Sequence, residues 1–166
     1  MRKLFIIGGL SFFACTTKAQ QTALGCIDAA MRVQAEQIKR DFKAQGFVSV
    51  KDMMITMKSK QASGVRVVLT AGKLHQLVFI GSKDANNLHF ELYDKADFRL
   101  DERKVEDPMT ANLVIYSIVP EKTDTMVVAL TQNLKEKTAC GSFTVLRQDE
   151  MPQAKPANTK QKNGKK

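Results

Sequence analysis

The feature that most constrains this chain is a change of hydrophobic period at Gly46. Before it, Leu24, Ile27, Met31, Ala35, Ile38 and Phe42 recur at spacings of three and four, one stripe of a helix spanning about residues 22–45. Arg32, Glu36, Lys39, Arg40 and Lys43 fill the other faces, and Gly46 sits where a helix stop belongs. After Gly46 the period falls to two and β-branched residues accumulate. The pattern predicts strands at about 47–57, 64–70, 74–80, 87–93, 97–101, 112–119, 125–132 and 140–147. Their separators, such as Ala71-Gly72-Lys73 and Pro120-Glu121-Lys122-Thr123-Asp124, are turn material. The stretch from Asn87 to Tyr93 alternates cleanly, with Leu88, Phe90 and Leu92 on one side and His89, Glu91 and Tyr93 on the other. One helix followed by eight short strands implies a mainly β fold: an antiparallel β-sandwich of about eight strands with one N-terminal amphipathic helix. The helix stripe must be buried somewhere, and an outer sheet face is the expected place.

The ends of the chain carry different information. Arg2 and Lys3, the apolar run Leu4 to Ala14 and Thr17-Lys18-Ala19 before Gln20 have the layout of a secretory signal peptide over residues 1–19. That run is too short to anchor the chain in a bilayer, and no integral membrane span is expected. Phe12-Phe13-Ala14-Cys15 loosely resembles a lipobox, which would make Cys15 the lipidated first residue. Phe12 stands where a lipobox prefers Leu, so ordinary cleavage is the expectation and a lipid anchor the alternative. Export to the periplasm or cell surface follows from either.

The formal charge of +9 does not mark a nucleic-acid binder. Arg2, Lys3 and Lys18 leave with the leader, which takes the charge to +6. Arg147 to Lys166 carries six basic and two acidic residues, a net +4, so residues 20–146 hold only +2. The basic segment lacks the aromatics that stack bases, and residues 148–166 read as a disordered basic tail behind a folded domain of residues 20–147.

After the leader, two cysteines remain, Cys26 and Cys140. In an oxidising compartment they are expected to form a disulfide. Such a bridge would pin the start of the helix to the last strand.

Four stretches of the β half, Gly72 to Gly81, Asp84 to Asp94, Pro120 to Val128 and Cys140 to Leu146, together resemble the bacterial pre-peptidase C-terminal (PPC) domain family. Gly72 to Gly81 is similar to its "G-x-x-Y-x-hydrophobic" strand. Asp84 to Asp94 is similar to its "D-x-x-D-L-x-hydrophobic-x-L-Y-D" stretch. Pro120 to Val128 is similar to its "P-x-x-S/T-G-x-Y" turn, and Cys140 to Leu146 to its closing strand. The resemblance covers about residues 64–147 and implies a jelly-roll accessory or binding module of secreted proteins. The chain departs from it at Asn86 and Asn87, where many members carry a second acidic residue, and at the usual Tyr positions, which hold His75 or Leu77, and Met126.

Chemistry-bearing groups are sparse. Asp84, Asn86 and Asn87, with Asp94 and Asp97 nearby, are the oxygen-rich group best suited to Ca²⁺. A useful site needs six or more oxygens, so turn capping is the expected role and no metal or cofactor is expected. His75 and His89 fall on alternating strand positions and are expected at the strand surface. No G-x-S-x-G, H-E-x-x-H or P-loop occurs. Asp97, Asp101, Glu102, Glu106 and Asp107 alternate with Arg99, Arg103 and Lys104, which predicts a solvated strand end and loop. Met53, Met54 and Met57 cannot all face one way in a strand unless it is covered on both sides. The expectation is a non-enzymatic exported accessory protein acting by contact with an envelope protein partner. A glycan-binding module is the rival, weakened by the absence of Trp and the presence of just two Tyr. A hydrolase whose residues converge only in space is the remote third.

Overall fold

The computed structural model describes residues 25–106 and 112–149. The expected signal peptide, Cys15, Leu24, Asp107 and the expected tail from residue 150 onward lie outside the described residues. One helix, α1 (Ala29–Lys43), precedes eight strands: β1 (Phe47–Lys58), β2 (Ser63–Leu69), β3 (His75–Ile80), β4 (Ala85–Tyr93), β5 (Arg99–Val105), β6 (Leu113–Ile118), β7 (Asp124–Leu134) and β8 (Thr138–Gln148).

The strands form two antiparallel four-stranded sheets, ordered β1-β8-β3-β6 and β2-β7-β4-β5. Every pairing β1·β8, β2·β7, β3·β6 and β4·β5 is present, so each strand lies beside the one equally far from the other end of the sequence. One long hairpin rolled over on itself produces this order, and it is the jelly roll. The sandwich core fills from both sheets with Leu77, Phe79, Phe90, Leu130, Phe143 and Val145, among others. Gly141 of β8 leaves room for the side chains of its two neighbouring strands, because a Cβ there would lie 2.5 Å from Met57 Sδ of β1 and 3.1 Å from Phe79 Cε2 of β3.

The helix closes a second, smaller core on the outer face of the β1-β8-β3-β6 sheet. Met31 and Ala35 are buried there with Phe47, Val78, Ile80 and Leu146, and Ile38, Phe42, Met54 and Leu74 pack around them. Phe42 and Phe47 meet edge to face with centroids 5.2 Å apart. β1 and β3 are therefore covered on both sides. Met53 and Met57 pack into the sandwich while Met54 packs under the helix, and all six residues of β3 are buried.

The helix is shorter than its stripe predicts. Asp28 caps it, its Oδ1 accepting from the Met31 amide at 2.9 Å. Residues 25–28 are not helical, and Ile27 is 84% exposed instead of lying in the buried stripe. Cys26 reaches the sheet from this non-helical lead-in and forms the disulfide with Cys140 of β8. Gly46, at φ 85°, reverses the chain into β1. The fifth strand also differs, running from Arg99 to Val105 instead of 97–101. Its inward positions Asp101 and Arg103 are charged, which hides the strand from a hydrophobic-period reading. They face Tyr116 across the open side of the sandwich. Arg103 lies over the Tyr116 ring at 5.7 Å, and Tyr116 in turn stacks on Phe90.

Candidate functional site

Pairing register gathers three connections at one end of the sandwich: Thr70–Leu74, Asp94–Phe98 and Val119–Thr123. Leu69 opposes Asp124, Tyr93 opposes Arg99, and His75 opposes Ile118. Backbone and side-chain bonds tie these segments together. The Gly72 amide donates to the Pro120 carbonyl at 2.9 Å, and the Ala71 amide to Thr123 Oγ1 at 3.0 Å. Lys95 pairs with Asp124 at 3.6 Å.

His75 braces the same end from within. It is fully buried, not at the strand surface as its alternating position suggests. Its Nδ1 lies 2.9 Å from the Lys73 carbonyl and its Nε2 3.3 Å from the Thr70 amide nitrogen. That pattern requires the neutral ring with the proton on Nδ1: one nitrogen donates and the other accepts. Burial pushes its pKa below the usual imidazole value; the Lys73 carbonyl opposes this and the Arg147 charge adds to it.

Asp94 organises the β4–β5 loop. Its Oδ1 accepts from the Ala96 amide at 2.8 Å and the Phe98 amide at 2.9 Å, while its own amide donates to the Phe98 carbonyl at 3.0 Å. Asp97 adopts φ 61°, the left-handed region an Asx residue tolerates. Capping is thus the role of Asp94, as turn chemistry predicts. The suggested calcium group does not assemble, because Asp84 precedes β4 and Asp94 follows it, with nine strand residues between them. Those nine residues separate the two ends by about 30 Å. Asn86 and Asn87 are exposed near the Asp84 end.

The braced loop presents Phe98, which is 69% exposed, at the same end of the sandwich as Val119, which is 55% exposed. Val68, Leu100 and Val48 are exposed at this end too. A cleft of about 480 Å³ opens here, with Leu100, Ile118, Val119, Pro120 and Met126 as its apolar lining. Lys95, Lys122, Glu121 and Asp124 ring it with charges of both signs. An apolar centre in a polar rim is the anatomy of a recognition surface. Sequence reasoning missed it. The available signal was an aromatic, Phe98, inside an otherwise polar loop.

A second group lies on the outer face of the other sheet, which in contrast to the first carries no helix. His89 and Glu91 project from β4, and Glu102 comes from β5, where it is the register partner of Glu91. His89 Nε2 is 3.5 Å from Glu102 Oε2 and 4.0 Å from Glu91 Oε1. Arg99 Nη1 donates to the same two oxygens, at 2.8 and 3.2 Å. The Arg99 charge, with Lys104, holds the Glu102 carboxyl below the usual range. The acidic run is therefore more than a solvated strand end at this point. His89-x-Glu91 places both groups on one face in the sequence, but the contribution of Glu102 depends on register.

No family model and no curated protein matches the sequence. Similar solved structures include a chain of the disulfide-linked pili that form Bacillus endospore appendages, at 9% identity and a TM-score of 0.34, covering 61% of this chain and 85% of that one. A chain of the glycosylation-associated Gap123 complex from Streptococcus agalactiae is 12% identical with a TM-score of 0.28, covering 61% of this chain and 38% of that one. A chain of infectious bursal disease virus, Gx strain, is 18% identical with a TM-score of 0.28, covering 60% of this chain and 30% of that one. These are distant likenesses and carry no argument about function.

Proposed function

We propose that this is an exported, non-enzymatic binding protein of the cell envelope that engages a protein partner through the end of the sandwich bearing Phe98 and Val119. The observation that carries the reading is the exposure of these two apolar side chains, Phe98 on the Asp94-capped loop and Val119 in the cleft lining, at one end of the sandwich. Water-exposed Phe and Val gain free energy when a partner covers them, roughly 25 cal/mol per Å² of apolar surface. The mixed-sign rim supplies orientation.

Export is supported by the leader-like residues 1–19 and by the Cys26–Cys140 bridge, which suits an oxidising compartment. A binding role is supported by how the reactive side chains are used. His75 is committed to a turn and Cys140 to a disulfide, so neither serves as a base or nucleophile. The glycan reading loses its natural platform at Tyr116, which is stacked on Phe90. Among the described residues no helix is long and apolar enough to cross a membrane.

The test is a pull-down from native envelope extract with wild-type protein and a Phe98→Asp variant. The variant is expected to melt within a degree or two of wild type, because Phe98 is exposed, and to lose the partner. Retention of the same partner at wild-type levels would refute this surface. Capture by immobilised glycans in place of a protein would favour the rival reading.

A further inference from the structure

We propose that His89, Glu91 and Glu102 form a binding site for a borderline divalent cation, of which Zn²⁺ is the representative, with Arg99 holding the two carboxylates when no metal is bound. Three ligands suited to such an ion converge: one imidazole nitrogen and two carboxylate oxygens, all within 4.8 Å of one another. A tetrahedral ion with bonds of about 2.1 Å holds its ligands about 3.4 Å apart. The observed 3.5 and 4.0 Å from Nε2 to the two oxygens lie close to that spacing, so small rotamer adjustments complete the set.

An independent observation concerns the imidazole itself. His89 Nε2 is out of contact with solvent although a quarter of the side chain is exposed, and it makes no hydrogen bond of ordinary length, its nearest acceptor being Glu102 Oε2 at 3.5 Å. The two nearest acceptors stand beyond normal hydrogen-bond length. A buried polar nitrogen without a partner is costly, and an ion between it and the carboxylates would satisfy it. His89 and Glu91 sit on β4, which is paired on both sides with β5 and β7, whereas Glu102 sits on the edge strand β5. An imidazole ligand favours Zn²⁺ or a similar transition ion over Ca²⁺ or Mg²⁺, which take oxygen ligands.

Arg99 decides the character of the site. It binds the same oxygens, Glu91 Oε1 and Glu102 Oε2, that a metal would take. A guanidinium and a dication cannot both occupy them at full strength, so metal binding must displace Arg99. Its side chain is half exposed and can leave into solvent. The arrangement is a competition between a tethered cation and a free one.

That competition gives the test its sign. Metal-free protein is titrated with ZnCl₂ by calorimetry at pH 7.5, alongside His89→Ala, Glu102→Gln and Arg99→Ala variants. Wild type is expected to bind one equivalent. His89→Ala and Glu102→Gln should each weaken binding by about tenfold or more, because each removes one of three ligands. Arg99→Ala should tighten it several-fold by removing the competitor. Absence of saturable one-to-one binding, unchanged affinity in His89→Ala, or weaker binding in Arg99→Ala would each overturn the proposal. Thermal melts of the metal-free variants near the wild-type value exclude misfolding as the cause of a loss.

Discussion

At the scale of single residues, the two histidines show how environment overrides pattern. His75 and His89 both occupy alternating positions in sequence, yet one is fully buried and the other lies on an open sheet face. Because His75 folds as the neutral ring with a lowered pKa, the unfolded chain binds its proton more readily. The stability it supports is fully present above the ordinary imidazole pKa, about 6.5, and is lost as pH falls below that value towards the folded pKa. Melting curves of wild type and His75→Gln between pH 7.5 and 5.5 should diverge in shape. Wild type falls with acidification more steeply than the variant, whose residue 75 no longer titrates. Parallel curves would contradict the neutral-ring assignment. The sequence separates them only in part: His89 is out of phase with Leu88, Phe90 and Leu92, whereas β3 is apolar on both faces, so alternation does not show that His75 lies on the inward side with Leu77 and Phe79. Asp94 was more legible, since a short polar side chain before Lys95-Ala96 is capping chemistry wherever it occurs.

At the scale of elements, the strands were largely readable because turn residues bound them and their period is two. The exceptions have physical causes. β5 carries Asp101 and Arg103 at inward positions on the open side of the sandwich, where Tyr116 receives them in place of an apolar core. The helix stripe is real from Met31 onward, but Ile27 is taken out of it by the Asp28 cap and by the reach of Cys26 towards Cys140. The docked stripe gives a paired prediction. Met31→Ala should destabilise by about 2–5 kcal/mol, as buried large-to-small changes do, whereas Val33→Ala, on the exposed side of the same helix, should change stability by less than about 0.5 kcal/mol. Chemical denaturation of the two variants checks this. Equal effects would mean that the helix does not pack as described.

At the scale of the whole molecule, the jelly roll brings the two ends of the domain together, and the Cys26–Cys140 bridge locks them across 114 residues of sequence. Closing a loop of that size is worth about 4.7 kcal/mol in the chain-entropy view, and Cys140→Ala should cost about 2–5 kcal/mol, read from its denaturation midpoint. Reductant should lower the melting temperature of wild type and leave that of the variant unchanged. The same rolled topology sets the two sheet faces apart in character: one is covered by the helix, the other is open with His89 and Glu91, and the loops meet at the ends. The fold class could be read from the chain because period and turns are local. The apolar end was not legible, because Phe98, Val119 and Leu100 are brought to one end of the sandwich only through pairing between distant strands. The most direct measurement of the central claim is site-specific photo-crosslinking in producing cells, with the reactive residue placed at position 98 or, as a control, at Thr131 on the open sheet face. The account predicts a discrete protein adduct from position 98 and none from position 131. Adducts of equal yield from both positions, or from position 131 alone, would contradict it.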